Sequence, residues 1–335
     1  MDKRQRVIDA IHHRETDLVP WQADFTHQEL DRMIRFTGDT DFHKHVGNHI
    51  RSVYFDGYLE ELPHRPGYFQ DDFGVLWNRN GADKDIGMIE GYVIPEPDMQ
   101  RIQMPNLQSE RLRAEYRALA SAGDDTYRLG SIGFSLFERA WTLRGMENFL
   151  ADMLEEPDFA DALLDAICDF NLQVMDVALA HDLDGFYFGD DWGQQKGLIM
   201  GPKLWRRFIK PRLARMYAHA RQHGLAVFQH SCGDIQEVFP DLIDIGLDVY
   251  QTFQPEIYDI HAIKRAYGKD LTFFGGISTQ RLLPFATPEE VTQKTREILS
   301  VMRPGGGYIL APTHAVPGDV PPENIMAMLD VFHKQ

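Results

Sequence analysis

Leu225-Ala226-Val227-Phe228-Gln229-His230-Ser231-Cys232-Gly233-Asp234 is an apolar run that ends on polar, chemically active side chains. Helical stretches flank it. Residues 202–223 open with Pro202 just inside the first turn, where a missing N–H does no harm. Residues 234–245 follow, with Asp234 placed to cap them. A short apolar strand between two helices is the building unit of a parallel sheet covered by helices.

The unit recurs along the chain. Strands are predicted at 19–25, 49–55, 127–134, 185–189, 225–231, 248–253, 271–277 and 308–312. Further helices are predicted at 3–13, 158–181, 260–267, 288–302 and 322–332. In 158–181, Phe159, Ala162, Leu163, Ala166, Ile167, Phe170 and Val174 repeat at the helical period. Thr287, before Pro288 and three residues ahead of Glu290, reads as a capping box.

Eight such units in 335 residues suit an α/β fold of one domain over 1–335. It is a single (β/α)8 TIM barrel with an N-terminal helix and one insertion, at about 56–106. The insertion holds two apolar runs, 71–78 and 87–94, with Asn80-Gly81 between them. That pair signals a β-hairpin, and the insertion is expected to cap part of the barrel mouth. An open, doubly wound sheet is the alternative. It would normally place a glycine-rich phosphate loop after the first strand, and none follows Phe25.

A composition of 43% hydrophobic and 25% charged residues is that of a folded globular chain. The net charge of -17 argues against binding nucleic acid or an anionic membrane surface. Two cysteines, Cys168 and Cys232, make no disulfide framework, so a cytoplasmic setting is expected. The first residues form a charged amphipathic helix rather than a signal peptide. No stretch approaches the ~20 apolar residues of a membrane helix.

Residues two apart on a strand point to one side, so His230 and Cys232 converge just past a strand's carboxyl end. In a barrel that point is the mouth, where catalytic groups gather. An imidazole and a thiolate form a soft N/S pair that suits zinc. Equally, Cys232 is a small buried filler and His230 a hydrogen-bonding group. His314, just after the last strand, completes a His/Cys/His set with one position open, or acts alone as an orienting histidine. Glu256 is a candidate fourth ligand. Asp190 and Asp191 end the fourth strand as general acid or base, ligand, or simple cap. Trp21 and Trp192 sit at strand ends, where they can wall a pocket for a flat ligand. Asp24, Gln229, Gln254 and Gly276 complete the predicted substrate contacts. Cys168 falls on an apolar helix face and reads as core.

Five segments carry a family resemblance: Phe134-Ser135-Leu136-Phe137-Glu138-Arg139-Ala140-Trp141, Gly189-Asp190-Asp191-Trp192-Gly193, His230-Ser231-Cys232-Gly233, Phe274-Gly275-Gly276-Ile277-Ser278 and Pro321-Pro322-Glu323-Asn324-Ile325. Together they resemble the uroporphyrinogen decarboxylase superfamily, strongly from about residue 127 onward and more loosely before it. The superfamily includes the haem-pathway decarboxylase and zinc methyltransferases that work with corrinoid proteins. The resemblance implies a (β/α)8 barrel.

The decarboxylase proper carries arginines after its first strand to grip carboxylates. Here that stretch reads Trp21-Gln22-Ala23-Asp24-Phe25-Thr26-His27, and an acid there opposes an eight-carboxylate substrate. The methyltransferase branch implies zinc on a His-x-Cys pair and a later Cys. His230 and Cys232 match the pair, and His314 stands where the later Cys would be. His314 also matches a histidine of the decarboxylase's Gly-His-Gly-type segment.

On this resemblance the expected function is zinc-dependent transfer of a methyl group between a small methylated substrate or thiol and a corrinoid. Zn2+ is expected on His230, Cys232, His314 and Glu256, with Asp190, Asp191 and His314 in catalysis. The corrinoid is expected on a partner protein docked over the mouth, and a homodimer is compatible with the reading. The alternative is a metal-free decarboxylase acting on a tetrapyrrole or other carboxylate. A third option is a non-catalytic tetrapyrrole- or corrinoid-binding protein.

Overall fold

The computed structural model describes residues 1–81 and 87–335. Its strands are β1 (Ile50–Phe55), β2 (Leu59–Glu61), β3 (Tyr68–Asp71), β4 (Leu76–Asn78), β5 (Met88–Ile89), β6 (Tyr127–Phe134), β7 (Gly185–Gly189), β8 (Gly193–Gln194), β9 (Gly197–Leu198), β10 (Ala226–His230), β11 (Val249–Phe253), β12 (Thr272–Ile277) and β13 (Tyr308–Pro312). Seven of them form one parallel sheet in the order β1-β6-β7-β10-β11-β12-β13. Chain order is preserved across the sheet, as in a barrel wall built from successive strand–helix units.

The predicted strand at 19–25 is not a strand. It makes two isolated bridges, Trp21 to Leu310 and Phe25 to Val316. On the β13 side, Gln22 N donates to Leu310 O at 3.0 Å and Leu310 N to Pro20 O at 2.9 Å. On the β1 side, His49 N donates to Trp21 O at 3.0 Å, and the Asn48 side chain takes over both polar groups of Ala23. Pro20 has no N–H, and Asn48 fills rungs that a strand would use, so no regular ladder forms. The segment nevertheless joins the two edges of the sheet, which is barrel-like.

Alternation along the strands sorts the side chains into two cores. Ile50, Tyr127, Leu129, Phe228, Val249, Phe274, Ile309 and Ala311 pack together inside, with Val7 and Ile11 of the helix Lys3–Ile11 among them. That helix closes the amino-terminal end of the sheet. The intervening residues, such as Val227, Tyr250 and Leu310, belong to the outer core shared with the helices. Cys168, on the helix Pro157–Leu179, is buried there as expected.

Predicted helices 260–267 and 288–302 match the observed bounds, and the capping box at Thr287 and Glu290 is formed. Helix 202–223 is interrupted. A π-turn, Trp205–Ile209, precedes the helix Lys210–Gln222. Pro211 explains it, since a proline ring clashes with the carbonyl four residues earlier in a regular helix.

In the insertion, β2-β3-β4-β5 form an antiparallel sheet. β4 pairs with β5, and the predicted Asn80-Gly81 connection runs into residues 82–86, which lie outside the described residues. This sheet is fastened to the carboxyl end of β6. Trp77 stacks on Phe134 at 5.8 Å, and the buried pair Arg139–Asp71 lies at 3.1 Å. Among the described residues, no helix is long and apolar enough to cross a membrane.

Candidate metal centre

The inner side of the strands becomes polar one step beyond its apolar layer. Phe228 is followed two residues on by His230, Val249 by Gln251 and Ala311 by Thr313. This ring of polar groups opens on the carboxyl end of the sheet, beneath the loops that carry Asp191, Cys232 and His314.

Among the described residues, His230, Cys232 and His314 form a group whose candidate ligand atoms all lie within 4.8 Å of one another. Cys232 Sγ is 3.6 Å from His230 Nε2 and 3.0 Å from His314 Nε2. A tetrahedral zinc with Zn–S near 2.3 Å and Zn–N near 2.0–2.1 Å separates its sulfur and nitrogen by about 3.5 Å. The two observed separations bracket that value. One thiol and two imidazoles form a donor set that zinc takes, and three protein ligands leave one position open.

The surroundings suit the same use. His230 Nδ1 bonds Gln251 Oε1, and His314 Nδ1 lies 3.3 Å from Thr313 Oγ1. Both rings thus have a partner on Nδ1 and turn Nε2 to the common point, the usual arrangement around a metal. Burial pushes the Cys232 thiol up and brings the His314 imidazole down to about 4, helped by the neighbouring His230. His314 is therefore neutral at neutral pH, with a lone pair free. Burial opposes charge on His230, but Tyr187, Asp191 and Cys232 outweigh it and hold its pKa well above the ordinary value.

The chain has recognisable relatives. The profile of the family described as Uroporphyrinogen decarboxylase (URO-D) matches residues 81–335. The chain belongs to the URO-D family. A methylated-thiol–coenzyme M methyltransferase from Methanosarcina mazei is 24% identical over 163 residues, 49% of this chain and 42% of that protein. A uroporphyrinogen decarboxylase from Coxiella burnetii is 24% identical over 301 residues, 81% of this chain and 78% of that protein. The chain spans about half the length of several curated relatives it matches, 42% to 49%. The solved structure of a methyltransferase from Methanosarcina mazei superposes with a TM-score of 0.73 at 16% identity, covering 100% of this chain and 99% of that one. At that identity the likeness is one of fold.

Several predicted site residues of this URO-D chain lie elsewhere, for one shared reason: they fall on the outward-facing alternation. Gln229 is fully buried behind β10, where its Oε1 accepts from Tyr217 of the helix Lys210–Gln222 at 2.6 Å. Asp190 is fully buried as well. It accepts from the amides of Phe137 and Glu138 at 2.9 and 2.7 Å and from Trp192 Nε1 at 2.6 Å. It anchors the start of the helix Phe137–Arg144 and does not reach the mouth. Trp192 is fully buried against Trp205, and Trp21 packs on His49, Phe332 and His333. Neither walls a pocket. Gly276 is the exception to that reason: it pairs with the inward Ala311, but at φ +99° a Cβ there would meet Tyr308 Oη at 2.7 Å and Ile298 at 3.3 Å, on the outer side.

Gln254 is buried and serves the architecture of the loop. Its Oε1 accepts from Gly233 N at 2.9 Å, pinning the turn after Cys232. Glu256 is not the fourth ligand. Its carboxylate bonds the Ser278 hydroxyl and lines an outer groove with Arg281 and Phe285. Asp191 is the acid that does reach the triad. Its Oδ1 accepts from Cys232 N at 2.7 Å and sits 3.2 Å from His230 Nε2. Burial opposes its charge, but those two partners hold its pKa below the ordinary range. Asp24 is exposed, held by Gln22 Nε2 at 2.9 Å.

Sequence reasoning missed Tyr54, Asp56, Glu138, Tyr187 and Gln251. Tyr54 is 57% exposed; it shares the inward side of β1 with Ile50, further toward the carboxyl end. Burial pushes Glu138 well above the ordinary carboxylate range, with repulsion from Asp191 and Asp190 added. Asp56 accepts from Phe134 N at 2.9 Å, and burial raises its pKa against the pull of Arg139. Gln251 carried no signal in the sequence, since it is the parallel register of β10 and β11 that sets it directly beside His230.

Proposed function

We propose that this chain is a zinc-dependent methyltransferase, moving a methyl group between a small methylated substrate or thiol and a corrinoid carried by a partner protein. The observation that carries the reading is the convergence of Cys232 Sγ, His230 Nε2 and His314 Nε2 at the mouth of a URO-D fold. Similarity to a methylated-thiol–coenzyme M methyltransferase supports it.

Cys232, His230 and His314 would hold the ion. Zinc, when bound, supplies Lewis acidity that lowers the charge on a thiol sulfur or a methoxy oxygen. The methyl group leaves as a CH3+ equivalent, so the donor's heteroatom keeps the bonding pair and needs its charge met. Glu138, whose carboxyl is biased by burial toward the protonated form, is the group that would give a proton to that atom. Asp191, fixed by Cys232 N and His230, orients the reacting group. Tyr54 and Tyr187 line the approach. The stretch Trp21 to His27 holds Asp24 and no arginine, and Asp191 keeps its charge beside the triad, which weighs against a decarboxylase gripping a porphyrinogen's carboxylates.

The test is zinc stoichiometry in the parent and in Cys232→Ala and His314→Ala, with methyl transfer from small thioethers and methoxy compounds to cob(I)alamin followed by absorbance. Near-stoichiometric zinc is expected in the parent. A zinc-finger ion held by four ligands binds with about 10–16 kcal/mol, so losing one ligand weakens binding on the order of 100-fold or more. Zinc retained undiminished in Cys232→Ala refutes the assignment.

A further inference from the structure

We propose that Gln251 is the positioning residue of the centre: its side-chain amide dictates which nitrogen of His230 faces the metal and ties β10 to the segment that carries His314. The inference rests on the metal-binding reading above.

Gln251 sits on β11 opposite His230 of β10 in parallel register, so the two side chains stand next to each other on the inner wall. Its Oε1 accepts from two donors, His230 Nδ1 and Tyr187 Oη, the latter at 3.1 Å. Its Nε2 donates to the Thr313 carbonyl at 3.2 Å. An amide can rotate to exchange its oxygen and nitrogen. Here the carbonyl of Thr313 accepts only and the Tyr187 hydroxyl is free to donate, so one orientation satisfies every partner. The oxygen must face His230.

That orientation has a chemical consequence. An acceptor at Nδ1 holds a proton there, so when the ring carries the single proton that metal binding requires, Nε2 is the nitrogen with its lone pair toward Cys232 and His314. Were the amide reversed, an NH2 would face Nδ1 and favour the other tautomer, with its proton pointing into the centre. The Thr313 carbonyl immediately precedes His314, and Thr313 Oγ1 also lies 3.3 Å from His314 Nδ1 and 2.9 Å from Thr279 Oγ1. One amide therefore sets the ring of His230 and braces the residue that carries His314. Gln251 touches neither the candidate ligand atoms' meeting point nor any reacting group, so its effect is exerted through the histidines.

The experiment measures zinc affinity by competition with a chromophoric chelator for the parent, Gln251→Leu and Gln251→Glu, with far-UV circular dichroism to establish folding. Gln251→Leu is expected to weaken zinc about 10- to 100-fold, the usual loss for a partner behind a metal-binding histidine. Gln251→Glu restores an acceptor at Nδ1 and is expected to recover most of that loss. In the zinc-loaded parent, long-range 1H–15N correlation on 15N-histidine protein should show His230 protonated at Nδ1 alone. That readout does not depend on any variant folding, and a merely structural glutamine would leave the tautomer unspecified. Zinc held by Gln251→Leu as tightly as by the parent, or metal on Nδ1 of His230, overturns the inference while leaving the centre standing. A parent without zinc affinity overturns both.

Discussion

Gly233→Ala and Gly224→Ala form a matched pair that separates backbone strain from loop contact. Both glycines are left-handed, with φ of +77° and +75°. An alanine in that conformation costs about 1–2 kcal/mol. A Cβ at Gly224 meets nothing within 4 Å, so that variant should lose only this amount. A Cβ at Gly233 would lie 2.2 Å from Gly193 C and 2.5 Å from Gln194 N, both main-chain atoms of the loop following Asp191. Backbone cannot swing aside as a flexible side chain does, so a further ~1–3 kcal/mol of overpacking is added. Gly233→Ala should therefore cost about 2–5 kcal/mol in all. It should also spread the loops bearing Cys232 and Asp191, now laced by Asp234 N to Gln194 O at 2.8 Å. Equilibrium urea unfolding measures the first effect and chelator competition for zinc the second. Only Gly233→Ala should weaken zinc. Equal stability losses in the two variants, or parental zinc affinity in Gly233→Ala, would refute the reasoning.

Asp190→Ala should destabilise the fold by about 3 kcal/mol, because three buried donors lose their acceptor, each costing about 1–3 kcal/mol, partly offset by removing a buried carboxyl. Its loss of activity should track unfolding in a urea titration; a fully stable but inactive variant would return Asp190 to the catalytic group. Glu29 is fully buried, and burial brings its carboxyl up to about 7 from 4.5. The neutral form is the one folding favours, so its stabilisation is complete below about pH 4.5 and is lost as the pH rises to about 7. Glu29→Gln should remove that decline, gaining at most about 3 kcal/mol at pH 8 and nothing near pH 4. Parallel stability–pH curves for the two proteins would show the carboxyl does not titrate this way.

The strand–helix rhythm was readable in the chain because burial on both faces makes parallel strands short and apolar, and seven of the eight predicted strands are found. The eighth failed at Pro20 and Asn48, where pairing depends on a missing N–H and on one side chain's reach. Alternation alone brought His230 and Cys232 together, and the same rule, applied one residue earlier, would have sent Gln229 outward. It also separates Asp191 from Asp190.

Local pattern thus settled the layers of this protein and two of the three donors, since the period of two acts between neighbours. Which distant groups meet them depended on how the sheet curls. Curling set His314 at 3.0 Å from Cys232 Sγ, left Glu256 on the outer groove and put Gln251 behind His230. Those separations are fixed by strand register and sheet curvature, which arise from packing over the whole chain and leave no trace in any single stretch of it.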